Sequence, residues 1–182
     1  MQSNASLLTF GRMISKATLN DATALTTLIN SAYRGEGSKK GWTTEADLLD
    51  GQRTDEAAMA DLISKADAAL LKYENADALL QGCVYLEKQA NQMYLGMLTV
   101  APHLQNSGIG KQLLRAAEAY AQRQGCAAVV MSVISVRNEL IDWYQRHGYR
   151  KTGATKPFPH SDPRFGIPKQ KLEFLIMEKQ LS

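Results

Sequence analysis

Gln105, Gly108, Gly110 and Lys111 form the most chemically suggestive cluster in the chain. They lie in the stretch Val100-Ala-Pro-His-Leu-Gln-Asn-Ser-Gly-Ile-Gly-Lys111, where an apolar segment gives way to a helically periodic one. The start of a helix leaves N–H groups without partners and carries partial positive charge. Glycines there let the backbone approach an anion closely, and a phosphate or pyrophosphate is the guest such a turn suits. Lys111 adds a point charge. Two familiar phosphate motifs do not fit. A P-loop needs G-x-x-x-x-G-K-[ST], but Gln112 follows Lys111 and the first glycine is missing. A dinucleotide fingerprint needs a third glycine where Leu113 stands.

A second cluster, Tyr144-Gln-Arg-His-Gly-Tyr149, closes a later predicted helix. Its first tyrosine could donate a proton or simply pack as an amphipathic aromatic. A third group sits in a Gly-rich, charged loop over residues 34–44, which carries Trp42 and leads to Glu45. Aromatic faces suit flat or cationic ligands. Glu45 would favour a cationic amine, and Arg34 a ligand that also carries a carboxylate. Glu45, Glu87 and His103 are titratable groups that could serve as a general base.

Elements must position these groups. Residues 9–18 read as a strand. Asn20 and Asp21 offer an N-cap to a helix in which Leu25, Leu28, Ile29 and Ala32 recur at helical spacing. Thr54 and Asp55 cap a second helix running to about Lys65. Strands are expected over 68–73, 78–87 and 92–100 as an antiparallel meander, and Pro102 stops the last of them. A helix from about Gly108 to Gln124 buries Leu113, Leu114, Ala117 and Tyr120, and Gly125 ends it. Residues 127–133 read as a short buried parallel strand. A helix over 138–147 and strands near 149–156 and 171–181 complete the order βααβββαβαββ. The fold class is a mixed α/β sheet of about seven strands flanked by about four helices. Residues 92–133 form one right-handed βαβ crossover, and the other pairings are antiparallel.

The chain has 182 residues, 45% hydrophobic and 21% charged, as expected for one globular domain over 1–182. A net charge of +3, without a run of Lys and Arg, points away from nucleic acid. No apolar run approaches the roughly 20 residues a membrane span needs. Residues 1–10 lack the basic and apolar regions of a signal peptide. No His or Cys cluster has metal-ligand spacing, so no metal is expected. Cys83 and Cys126 read as small buried hydrophobes of a reduced, cytoplasmic protein.

The glycine turn and the later tyrosine motif together resemble the two cofactor motifs of the GNAT superfamily of N-acetyltransferases. Val100, Pro102, Gln105, Gly108 and Gly110 match the first, with Asn106 where members often carry glycine. Tyr144, Gly148 and Tyr149 match the second. The resemblance implies a central sheet whose strands 92–100 and 127–133 splay apart to admit the pantetheine arm of acetyl-coenzyme A. It implies that main-chain groups of Leu98 and Val100 pair with that arm. Gln105 belongs to the same motif, and the backbone of Asn106, Ser107, Gly108, Ile109, Gly110 and Lys111 would hold the pyrophosphate. Arg137 stands where members often place an asparagine against the cofactor arm. Either Arg137 meets a phosphate, or Asn138 serves from a shifted helix start, or Asn138 is a plain N-cap. Tyr144 takes the family position of the general acid, with Glu45 as candidate base. Tyr33, Arg34, Trp42, Glu45 and Phe158 would line the acceptor site, and the late loop with Phe158 and His160 would close over it.

The implied activity is direct acetyl transfer from acetyl-CoA to a primary amine, without metal and without a covalent enzyme intermediate. The expected acceptor is a small molecule, and a homodimer is the expected self-association. Acetylation of protein lysines or N-termini, and non-catalytic acyl-CoA binding, are the alternatives.

Overall fold

The computed structural model describes residues 13–159, 164 and 166–182. The first strand, β1, spans Ile14–Lys16; the earlier part of the predicted strand, and His160, lie outside the described residues. The helix α1, Ala22–Tyr33, buries Leu25, Leu28, Ile29 and Ala32, the spacing that predicted it. Leu25 and Ile29 are fully shielded, each worth roughly 1.5–3 kcal/mol of hydrophobic transfer. Its start differs from expectation. A 3-10 turn, Leu19–Asp21, precedes it, and the Asp21 carboxylate accepts from the Thr18 N–H at 2.8 Å and hydroxyl at 3.2 Å. The two-residue strand β2, Leu49–Asp50, follows, and then α2, Glu56–Ser64. Asp55 caps α2 through the Ala58 N–H at 2.7 Å.

The meander β3 (Ala68–Glu74), β4 (Leu80–Gln89) and β5 (Gln92–Val100) is antiparallel, as expected. Then come α3 (Ile109–Arg123), β6 (Ala128–Ile134), α4 (Asn138–Arg146), β7 (Arg150–Pro157), β8 (Ile167–Pro168) and β9 (Glu173–Gln180). Seven strands form one sheet in the order β1-β3-β4-β5-β6-β9-β7. Only β5 and β6 pair in parallel. The small β2–β8 ribbon was not anticipated. It carries Leu49 into a satellite core with Ile134, Phe158 and Leu172.

The main core lies between the sheet and α3 with α4, through Leu113, Leu114, Ala117, Ile141 and Tyr144. A second core joins α1 and α2 to the sheet, through Leu25, Ile29 and Met59. The sheet is therefore covered by helices on both sides. Its middle is open. β5 and β6 pair only from Gln92↔Ala128 to Tyr94↔Val130, after which β5 continues to Val100 without β6. On the other side, Gly96 pairs with Tyr85 and Thr99 with Cys83, so β5 spends one extra residue on the interval. That bulge contains Met97, a non-glycine residue at φ 51°. Such strain gathers where a strand must turn its backbone toward something other than its neighbour.

Both cysteines are free and buried, and burial pushes the Cys83 thiol up to about 12. Among the described residues no helix is long and apolar enough to cross a membrane, and no group of His, Cys, Asp or Glu could hold a metal ion.

Candidate active site

Two cavities meet in the gap between β5 and β6. One, of about 300 Å³, lies over the start of α3. The other, of about 80 Å³, lies between β5, β6 and the loop that carries Glu45. Tyr33, Leu98, Leu140 and Tyr144 line both and form the waist where they join. A molecule entering from one side can therefore meet a molecule entering from the other.

The larger cavity is built on the glycine turn. Asn106 and Gly108 both take left-handed backbone, at φ 68° and 90°, which asparagine and glycine tolerate best. Gly108 is the N-cap of α3, and no side chain caps the helix. The first N–H groups of α3 are thus left for a ligand, with the helix dipole behind them. A side chain built at Gly108 would meet nothing within 4 Å, so an anion has open access. Ser107 hydrogen-bonds the Leu104 carbonyl, the Ile109 side chain is in the core, and Lys111 lines the cavity. A second hollow of about 310 Å³ shares Lys111 and His147 and adds Arg115 and Arg146. An uncapped helix start with lysine and arginine beyond it fits the pyrophosphate and nucleotide end of acetyl-CoA.

Gln105 does something the sequence did not reveal. Its side-chain oxygen accepts from the N–H groups of Trp42 at 2.7 Å and Thr43 at 3.2 Å. Its nitrogen donates to the Thr43 hydroxyl at 2.8 Å and the Val100 carbonyl at 3.1 Å. The amide clamps the loop after α1 onto the turn before α3. Gly41 makes room, since a Cβ there would sit 2.6 Å from Gln105 Cδ. Gln105→Ala leaves four groups without this partner. It is expected to cost about 2 kcal/mol, a fall of roughly 4–8 °C in Tm for a chain of this size, with a change in tryptophan emission. An unaltered melting curve and spectrum would show that the clamp holds nothing.

The clamp also relocates Trp42. Expected in the acceptor site, Trp42 instead walls the larger cavity, its ring 6.4 Å from Trp143. Trp143 in turn lies 4.1 Å from His147. The His147 Nδ1–H donates to the Trp143 carbonyl at 2.7 Å, because a carbonyl can only accept. Trp143, His147 and Leu140 were not singled out from the sequence. Their helical spacing within and just after α4 was the available signal.

The smaller cavity is charged. Glu45 is buried with both oxygens engaged, one by Arg34 at 2.7 Å and the other by Arg137 at 3.3 Å. Arg137 also donates to the Thr43 carbonyl at 2.6 Å. It lines this cavity and not the larger one, so it does not reach the phosphate site considered for it. Arg34 stands behind Glu45, outside both cavities. Asn138 is exposed at the first turn of α4 and lines neither. Phe158 is likewise set back: it packs on Phe174 at 5.2 Å, and Phe174 meets the cavity. Arg53, unremarked in the sequence, lines it.

At the waist, the Tyr33 hydroxyl donates to the Leu98 carbonyl at 2.5 Å. The carbonyls of Leu98 and Val100 thus each have an internal partner and keep a second lone pair. Tyr144 is buried edge-on to Trp143 and Tyr149. Burial, with Tyr33 nearby, pushes its phenol well above the ordinary range, so it carries its proton. The other base candidates lie away from the waist. Glu87 pairs with Lys65 at 2.6 Å and Tyr85 at 2.7 Å, and His103 is exposed on a 3-10 turn.

A family model described as an acetyltransferase (GNAT) domain matches residues 30–161, which include the glycine turn, the loop clamped to it and α4. The chain belongs to the GNAT acetyltransferases. Among curated proteins, none matches it by sequence. Solved structures share the fold. The Salmonella typhimurium yncA structure with its cofactor acetyl-CoA superposes at TM-score 0.69, with 19% identity, covering 94% of this chain and 95% of that one. The ribosomal-protein-S18-alanine N-acetyltransferase from Escherichia coli gives 0.68 with 14% identity, covering 93% of each chain. Nourseothricin acetyltransferase gives 0.56 with 20% identity, covering 64% of this chain and 67% of its own. Acetyl-CoA is the cosubstrate of this GNAT acetyltransferase.

Proposed function

We propose that this protein transfers an acetyl group from acetyl-CoA directly to the primary amine of a small molecule, in the cytoplasm. The observation that carries the reading is the waist, where the larger cavity and the smaller one meet beside Tyr144. When bound, acetyl-CoA supplies a thioester whose carbonyl is open to a nucleophile. The chain supplies position and a proton. The first N–H groups of α3 and Lys111 hold the pyrophosphate. Tyr33, Leu98 and Leu140 fix the reacting ends within reach, which alone can contribute several orders of magnitude in rate.

Tyr144 protonates the departing thiolate. Its raised pKa does not unfit it for that task, because a thiolate formed at the same buried place is destabilised too, as the Cys83 thiol illustrates. The amine must arrive neutral. Glu45, with both oxygens on guanidinium groups, acts in this reading as a positioning residue and not as the base. A cavity richer in arginine than in carboxylate disfavours an ammonium ion and so favours the neutral amine. Neither cysteine takes part. The small inner cavity suits the amine end of a compact acceptor more than a folded protein surface.

The test is thiol release from acetyl-CoA over a panel of small amines, beside a lysine peptide. Amine-dependent release with the small molecules supports the reading. Release with the peptide alone would move the acceptor to protein, and bound acetyl-CoA with no release for any amine would leave a binding module.

A further inference from the structure

The charges around the inner cavity do not balance. Among the described residues that line it, Arg137 and Arg53 bring two guanidinium groups and Glu45 the one carboxylate, whose other oxygen is already held from behind by Arg34. Tyr33 and Tyr94 stand close enough to feel Arg53, yet burial holds both phenols protonated, so they add no negative charge. Two cations against one anion leave an excess of one positive charge along the cavity's lining. Withdrawing a cation from water without a partner is costly, and a ligand anion would offset that cost.

Arg53 is the group left over. It is half-buried, and among the described residues no carboxylate lies within ion-pairing distance of its guanidinium. Its backbone is fixed by the Asn30 side chain, which accepts from the Arg53 N–H at 2.8 Å. It stands where the inner cavity opens into an outer groove of about 490 Å³, with Met97 as the other shared wall. Of the groove's two carboxylates among the described residues, Asp55 is engaged in capping α2, and neither it nor Asp61 forms an ion pair with Arg53. Arg137, on the inner side, spends one nitrogen on Glu45 at 3.3 Å and another on the Thr43 carbonyl at 2.6 Å, and its five N–H donors leave some to spare.

We infer that the acceptor amine also carries an oxyacid anion, a carboxylate, phosphinate or phosphonate, which Arg53 and Arg137 hold while the amine points to the waist. This deepens the acetyl-transfer reading and rests on it. The planar fork of arginine matches the paired oxygens of such an anion. The inner cavity, about 80 Å³, holds only a few heavy atoms, so a short chain separates acid from amine. The excess charge of the lining is neutralised when the anion binds, and no carboxylate is left over to favour an ammonium ion.

Matched pairs test this: glycine against glycinamide, β-alanine against β-alaninamide, and 2-aminoethylphosphonate against ethylamine. The acid member of a pair should show a kcat/KM at least tenfold above its neutral partner. Arg53→Gln should bring that acid-to-neutral ratio toward one, a fall of roughly 10–100-fold, as for loss of one charge-assisted contact. Arg53→Lys should keep part of the ratio, which a merely unfolded variant would not. Carboxylate and phosphonate members distinguish the two anion geometries. Neutral amines used as well as their acids, or a ratio untouched in Arg53→Gln, would overturn the inference and leave acetyl transfer standing. If no amine releases thiol, titration of the CoA-saturated protein with glycine and 2-aminoethylphosphonate decides separately. Arg53-dependent binding would support the anion site although acetyl transfer had failed, and no binding would end both.

Discussion

Gly108→Glu is expected to abolish acetyl-CoA binding. Wild-type protein with ligand at about 100 times its dissociation constant should gain roughly 2.7 kcal/mol of stability, and the variant should gain nothing. The reason is local. Gly108 opens α3 with left-handed backbone, and the space before it is free. A glutamate there would put bulk and negative charge in front of the unpaired N–H groups, against the site's own polarity. Glutamate also strains a position at φ 90°. Gly108→Asn is therefore the companion variant: asparagine accepts that backbone and adds no charge. It should melt near wild type and keep partial binding. A folded Gly108→Glu protein that still binds acetyl-CoA would place the pyrophosphate elsewhere.

Tyr144→Phe should lower kcat by roughly 10–1000-fold, in or somewhat below the usual range for a general acid. The ring's edge-on packing against Trp143 and Tyr149 is retained, so the fold should not suffer. The KM for acetyl-CoA should change little, since a proton delivered late contributes little to ground-state binding. A thiolate leaves tolerably without help, so some turnover should survive. A raised KM with unchanged kcat would make Tyr144 a binding residue, and wild-type values in both would leave positioning at the waist as the main source of rate.

The elements that position the site were legible because their signals are local. Leu25, Leu28, Ile29 and Ala32 announced α1 by spacing alone, and Pro102 marked where β5 had to stop. The αL backbone at Asn106 followed from asparagine's tolerance of it. What failed to show was decided by long side chains choosing among distant partners. Gln105 belongs to the glycine motif, but its amide reaches back some sixty residues to the loop at Trp42 and Thr43. That reach carries Trp42 to the larger cavity. Arg137 could have turned to either cavity, and Glu45 with the Thr43 carbonyl drew it to the smaller one. The bulge at Met97 and the β2–β8 ribbon depend on pairing between remote segments, which no local pattern encodes. Arg53 looked like an ordinary charged residue, and only the count of charges around it gives it meaning.

A crystal structure of the protein with coenzyme A tests the central claim most directly. The pyrophosphate should accept hydrogen bonds from the N–H groups at the start of α3. The pantetheine should run between β5 and β6 along Leu98 and Val100, and its sulfur should lie within hydrogen-bond reach of the Tyr144 hydroxyl. Coenzyme A bound with its sulfur away from the waist, or along a surface other than the β5–β6 gap, would contradict the account.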